Sequence, residues 1–393
     1  MSVYLTKETL SLPSWVNSLH DANGYVWRLF TCNFRIMIMN NKYYNVLLDL
    51  NVLYYSFQKC KKGVDWKNSV QKYEANLLFN LNDLRKRLEN ETYKPDKFVE
   101  FDVSERGKTR HIKSPSIRDK VLQHALCDYV LEPIIYPKLI YNNGASIKGK
   151  GVEFSRKQLT KHLMKFYKEF GNEGYILVCD FKKFFDSIPH DKLIEALSKH
   201  ISDSKIMELL KKIIYSFSDT GKGLGIGSQI SQICGVYYPT QIDTFCTVVK
   251  GCKYYARHMD DFYVIHKDKE FLKSLLVEIR IIAEKLALTL NEKKTQICKL
   301  CKGFVFLKQF IFLTGTGKIV RRPCKTNITR ERRKLKSFKK KLTCGKMTLS
   351  YIEEHYKSWR GATKKYAKSY TIKNMDELFK RLFYNDCSRK MKK

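Results

Sequence analysis

Two stretches decide the fold: "YILVCDF" at 175–181 and "YYARHMDDFYVIH" at 254–266. The first is a short, almost wholly apolar run, the composition of a strand buried on both faces. One carboxylate, Asp180, interrupts it near its end. The second is predicted to be a hairpin: two aromatic and β-branched arms enclose a tight Met-Asp-Asp turn, with Asp260 and Asp261 at its tip. An acid at the end of a buried strand is costly unless something compensates it, and a bound cation is a common compensation at a functional site. Taken alone, Asp180 is explained equally well as an N-cap for the helix predicted over "KKFFDSIPHDKLIEALSKHI", 182–201. Paired aspartates at a solvated turn are likewise ordinary turn chemistry. The order of the features shifts the balance: a lone aspartate ending a buried strand, a Gly/Ser-rich helical segment, then a paired-aspartate hairpin.

Phosphoryl transfer by two metals needs carboxylates that hold two divalent ions roughly 3.5 to 4 Å apart. Three aspartates from neighbouring strands can do this. An all-oxygen ligand set of this kind suits two Mg2+ ions, with Mn2+ as a substitute.

The rest of the chain fits a polyanionic partner. Its 393 residues carry 74 lysines and arginines against 39 acids, a net charge of +35. Charge of this size would equally suit a ribosomal or chromatin protein, so it sets the partner class and not the chemistry. An apolar fraction of 44% allows one large core or several smaller ones and excludes a disordered tail. No apolar stretch approaches the ~18 to 20 residues of a membrane span, and no signal-peptide pattern opens the chain. The expectation is a cytoplasmic protein with no membrane partner. Scattered cysteines such as Cys179, Cys234 and Cys246 sit in apolar text, as reduced buried thiols do. Cys298 and Cys301 lack a second pair at zinc-ribbon spacing, so zinc is not expected.

No internal repeat is evident. Residues 1–44 form a poorly patterned N-terminal extension, within which Met39 is a candidate start. Apolar positions Val70, Tyr73, Leu77, Leu78, Leu81 and Leu84 predict a helix over 66–90. "KFVEFDVSERGKTRHIKSPS" at 97–116 predicts a hairpin with two basic arms about Gly107. A helix is predicted again over 119–131.

The segments "VCDFKKFFDSI", "IGSQISQ", "HMDDFYVI", "LTLNEKKTQI" and "FLKQFIFLTGTGK", in this order, resemble the palm motifs of bacterial reverse transcriptases. "GKTRHIKSPSIRDKVLQHAL" and "NNGASIKGKG" are similar to that family's fingers, and the likeness runs from about Leu50 to the C-terminus. It looks nearest to stand-alone enzymes of diversity-generating elements, retrons and phage-defence systems. The resemblance implies an α+β, right-hand polymerase: an uncertain extension 1–44, fingers 45–174, a ferredoxin-like palm 175–315 of antiparallel sheet plus helices, and a basic helical thumb 316–393. It makes Asp180, Asp260 and Asp261 the catalytic metal ligands, with the Phe181 carbonyl beside them. Phe185 falls at the steric-gate position, where a ring would meet a 2′-hydroxyl. Viral RNA polymerases place an aspartate there, and Asp186 comes one residue too late for that role.

Gly227, Ser231 and Gln232 match the segment under the nascent base pair, in a Ser-Gln version rather than the common Ser-Pro. Lys108 and Arg110 match fingers residues that contact the incoming triphosphate, where fixed guanidinium donors suit phosphate. Lys294 matches a lysine near the leaving pyrophosphate, with Lys293 as its competitor. His258 replaces the usual tyrosine before Met-Asp-Asp; its bland alternative is a spacer on the strand.

From Lys318 to Lys341 there are twelve basic residues and one acid, Glu331. Leu335, Phe338 and Leu342 at helical spacing predict a basic helix packed on one side. Arg330, Arg332, Arg333, Lys334 and Lys336 are the candidate nucleic-acid contacts. Tyr351, Tyr356, Trp359, Tyr366 and Tyr370 either stack on bases or, for most of them, pack thumb helices. The partners implied are an RNA template, a DNA or RNA primer, dNTPs and a dedicated noncoding RNA. RNA-templated DNA synthesis leads; a template-independent or self-primed DNA polymerase and a non-catalytic RNA-binding, maturase-like protein are the alternatives.

Overall fold

A computed structural model describes residues 43–105 and 108–384. Of the extension expected over residues 1–44, residues 1–42, with Met39, lie outside the described residues, as does the Gly107 turn; Tyr43 and Tyr44 open the short helix Tyr43–Val46. Ahead of the apolar run, β1 (Val99–Glu105) pairs with β2 (Lys108–Ser114) as an antiparallel ribbon. Only β2 is a basic arm. Glu100 and Asp102 of β1 instead flank His111, each carboxylate 3.0 Å from a ring nitrogen.

The apolar run becomes β3 (Tyr175–Asp180). The paired-aspartate segment becomes β4 (Tyr255–His258) and β5 (Asp261–His266). With β6 (Gln296–Lys299) they form an antiparallel sheet in the order β4-β5-β3-β6. Alternate residues of β3 enter different cores, as a period of two dictates. Leu177 and Cys179 join a large core that includes Ile233 and Cys234 of the helix Gln229–Tyr237 and Leu272 and Leu275 of the helix Lys269–Lys285. Ile176 and Val178 join a second core with Leu159, Leu163 and Phe166 of the helix Val152–Phe170. That core also takes residues from a second sheet, β7 (Phe304–Phe306), β8 (Gln309–Leu313) and β9 (Ile319–Pro323). Burial on both faces explains why β3 is so apolar in sequence.

A third core, with Leu335, Phe338, Ile352, Tyr356, Met375 and Phe379, joins three C-terminal helices, Lys325–Thr343, Leu349–Lys364 and Ser369–Phe383.

Several predicted elements are redrawn. The helix expected over 66–90 is two, Asn68–Ala75 and Leu77–Glu89, meeting at Asn76, and Leu78 is 78% exposed. The helix expected over 182–201 is split by Pro189 into Phe184–Ser187 and His190–Ser198, because the ring has no N–H to give. The segment 119–131 is helical, as Ile117–Leu126 followed by a wider-wound turn through Leu131. The basic stretch from Lys318 begins as strand β9 and turns helical only at Lys325. No described helix is long and apolar enough to cross a membrane.

Candidate active site

The strand register brings the three aspartates together. Asp180 stands directly opposite Asp261 across β3 and β5, and Asp260 occupies the turn that joins β4 to β5. Met259 opens that turn with φ at 59°, a left-handed conformation unusual for a side chain of its size. The Phe181 N–H donates to the Asp260 carbonyl at 3.3 Å, so the end of β3 and the turn are held by backbone. Phe181 itself is buried and its backbone is further fixed by a bridge to Leu290.

Asp180 does not cap a helix; the cap position of Phe184–Ser187 is Lys183. The Asp180 carboxylate, 3% exposed, instead accepts from Lys294 Nζ at 2.5 Å and from Asn291 Nδ2 at 3.0 Å. Asn291 was not legible as a site residue. Its only sequence signal is its place three residues before Lys294, and its own N–H also donates to the Asp180 carbonyl at 2.7 Å.

Burial, then repulsion from Asp180, pushes the Asp260 carboxyl above the ordinary range. Asp261 is pushed up further, by burial and then by Asp260 and Asp180. Carboxyls raised in this way mark a place where negative charge is crowded without enough compensation. The donor set therefore fits divalent cations in kind: hard oxygens, converging from two strands, destabilised by each other. Among the described residues no three acidic, His or Cys side chains form a preset cation cage, and Lys294 and Asn291 hold the Asp180 oxygens.

Phe185 lies half-buried beside this turn. A Cβ built on Gly235 would meet Phe185 Cε1 at 3.0 Å and Met259 Sδ at 3.4 Å, so the glycine makes room for both. Gly235 is a further site residue that the motif reading passed over. Gly227, at φ 120°, approaches the β1–β2 ribbon: a Cβ there would lie 3.3 Å from both Ile112 Cγ2 and the Lys113 carbonyl oxygen. The Lys113 N–H donates to the Ile226 carbonyl at 3.2 Å, fastening the ribbon to this segment. Gln232 is partly exposed and accepts from the Ser146 hydroxyl at 3.3 Å. Ser231 is fully buried, so its side chain faces the core and not a nucleic-acid strand. Arg110 is exposed, and its charge favours the ionised form of Asp260. The Lys108 side chain lies outside the described residues. Lys294, unlike Lys293, is bonded to the carboxylate cluster.

The model of the reverse transcriptase (RNA-dependent DNA polymerase) family matches residues 93–336, more than half of the chain and all of this site. The chain belongs to the reverse transcriptase family. Among curated proteins it is 25% identical to YkfC of Escherichia coli over 286 residues, 62% of this chain and 74% of YkfC. It is 27% identical to a COX1/OXI3 intron 2 protein of Saccharomyces cerevisiae over 60% of this chain, and so spans about a quarter (27%) of that relative's length. Among solved structures, telomerase from Candida albicans with a TWJ fragment of telomeric RNA aligns at a TM-score of 0.45 and 14% identity. That alignment covers 74% of this chain and 55% of the telomerase chain.

Within this reverse transcriptase fold, His258 is more than a spacer. Its Nδ1 lies 2.9 Å from the Ser155 hydroxyl, tying the first turn of Val152–Phe170 to the hairpin that carries Asp260 and Asp261. Burial, with Arg156 and Arg257 adding to it, pushes the His258 imidazole down, which favours the neutral ring. In the basic C-terminal helix, Arg330, Arg332, Arg333, Lys334 and Lys336 are all exposed, while Leu335 and Phe338 are buried and Leu342 packs against them. Glu331, the one acid of the stretch, points inward and meets His355 at 3.1 Å. Tyr356 is buried and Trp359 stacks on it at 5.7 Å, whereas Tyr351 and Tyr370 are exposed.

Proposed function

We propose that the protein is an RNA-directed DNA polymerase that extends a DNA or RNA primer with dNTPs. The observation that supports it most is the placement of Asp180 opposite Asp261, with Asp260 and Phe185 beside the same turn, in a chain of the reverse transcriptase family. Two Mg2+ ions, or Mn2+, bound there would supply a lowered pKa for the attacking 3′-hydroxyl and charge stabilisation for the leaving pyrophosphate. Asp180, Asp260, Asp261 and the Phe181 carbonyl are the residues that would hold them. Arg110, with Lys108, would orient the triphosphate from the fingers side. Lys294 would meet the leaving phosphates once it releases Asp180. The Phe185 ring would occupy the space that a ribose 2′-hydroxyl needs.

The domain assignment follows the same proposal: fingers 45–174, palm 175–315 and thumb 316–393, with Arg330, Arg332, Arg333, Lys334 and Lys336 tracking template-primer phosphates. A cytoplasmic enzyme of a mobile-element, retron or phage-defence system, with its own noncoding RNA, is the setting we favour. The intron-encoded relatives favour a second reading, an RNA-binding maturase-like role; the intact aspartate set supports catalysis over binding alone. The purified protein should copy a primed RNA template with Mg2+ and dNTPs, and Asp260→Ala should abolish synthesis. Products whose sequence ignores the template would instead make it a template-independent or self-primed polymerase.

A further inference from the structure

Behind the catalytic turn lies an ion pair that the chemistry above does not use. Arg257 is 1% exposed and Asp243 wholly buried. The guanidinium grips Asp243 with both edges of its fork, Nε to Oδ1 at 2.7 Å and Nη2 to Oδ2 at 2.6 Å. Its remaining donors reach two backbone carbonyls: Nη2 to Val236 at 2.8 Å and Nη1 to Met259 at 3.1 Å. Asp243 Oδ1 also accepts from the Tyr255 hydroxyl at 2.6 Å. The Arg257 backbone is fixed too, its N–H donating to the Asn142 carbonyl at 3.3 Å and its carbonyl accepting from Gly144 at 3.0 Å.

We propose that the Asp243–Arg257 pair is a positioning device that fixes the Met259–Asp260–Asp261 turn against the helix Gln229–Tyr237. This rests on the polymerase reading of the site.

The carbonyls that Arg257 holds are informative. Met259 adopts a left-handed backbone that an unsupported non-glycine residue resists, and such conformations persist where surrounding structure over-determines them. Val236 follows Gly235, the residue that seats Phe185 and Met259. One planar group thus sets the distance between the floor of the nucleotide site and the aspartate turn. Lysine cannot replace it: an ammonium would keep the charge but not the fork. The charge itself is neutralised by Asp243, so Arg257 acts through geometry. Replacing both charges of a buried pair by apolar residues of similar volume often leaves a fold intact, whereas removing one partner alone is strongly destabilising.

The test uses the full chain with two variants, Arg257→Lys and the double variant Asp243→Leu/Arg257→Met. Three quantities are measured: the melting temperature, Mn2+ affinity by electron paramagnetic resonance without nucleotide, and single-nucleotide incorporation on a primed RNA template. A looser turn displaces reacting groups by fractions of an ångström, so Mn2+ affinity and kcat should each fall about tenfold or more in both variants, with KM for dNTP little changed. The double variant removes the charges but leaves the Tyr255 hydroxyl and the Val236 and Met259 carbonyls without these partners, so it should melt a few degrees lower; measuring Mn2+ affinity and kcat well below that melting temperature separates positioning from folding. If the double variant is folded and keeps the parent's Mn2+ affinity and kcat, the proposal is overturned; should Arg257→Lys fail to fold, the double variant decides. A parent that binds Mn2+ yet makes no DNA would sink the polymerase reading, while the Mn2+ comparison would still test the pair.

Discussion

Gly235→Ala should leave the protein folded and impair its chemistry. Gly235 lies inside the helix Gln229–Tyr237, where alanine is favoured by about 1 kcal/mol over glycine. The new methyl would stand 3.0 Å from Phe185 Cε1, 3.3 Å from Cζ and 3.4 Å from Met259 Sδ, so the ring must retreat by a few tenths of an ångström. Overpacking of this size costs roughly 1 kcal/mol, at the low end of its range. The two effects nearly cancel, and the melting temperature should move by no more than about 4–8 °C per kcal/mol of imbalance, less in a chain this long. The displaced ring and turn do not cancel: a shift of about half an ångström at a reacting centre should lower kcat/KM for dNTP on the order of tenfold. Steady-state incorporation on a primed RNA template reads this directly. Phe185→Leu added to Gly235→Ala should recover part of the loss by vacating the ring positions. A stable Gly235→Ala enzyme with the parent's kcat/KM would refute the close packing of Gly235 on Phe185 and the turn, and with it the place given to Phe185.

Three further outcomes follow from the same geometry. Phe185→Ala should raise ribonucleotide use relative to deoxynucleotides by roughly 10- to 200-fold, the discrimination one well-placed apolar group supplies, measured by competing rGTP against dGTP; unchanged selectivity would remove Phe185 as the sugar selector. Asp261 has a folded pKa raised to about 8 from 3.8. The folded state then holds its proton in that window while the unfolded state does not, so metal-free stability should fall as pH rises from about 4 to about 8. Asp261→Asn should flatten that fall, and Mn2+ should restore melting at pH 8; parallel pH profiles for parent and variant would contradict the crowding of carboxylates. Finally, Arg332→Ala/Arg333→Ala should reduce the slope of log binding against log salt by about 1 to 2 on a primed template, as each lost phosphate contact removes about 0.9. An unchanged slope would take these residues off the duplex.

Much of this protein was determined by local sequence. The double burial of β3 showed in its almost wholly apolar text, because a strand covered on both faces has no polar side to display. The hairpin carrying Asp260 and Asp261 showed in its aromatic arms, and the one-sided packing of the basic helix in the spacing of Leu335 and Phe338. Only the tertiary structure decided how those elements meet. Asp180 stands opposite Asp261 because of the register between β3 and β5, which is fixed by how both strands pack into the two cores and not by either strand read alone. Asn291, Gly235 and the Asp243–Arg257 pair are joined to the site by contacts between residues far apart in the chain, to which periodicity and motif spacing are blind. The same holds for Ser231, whose motif position suggests a ligand contact while its helix face turns it into the core. A side chain's role depends on which neighbours exclude water from it, and those neighbours are chosen by the fold.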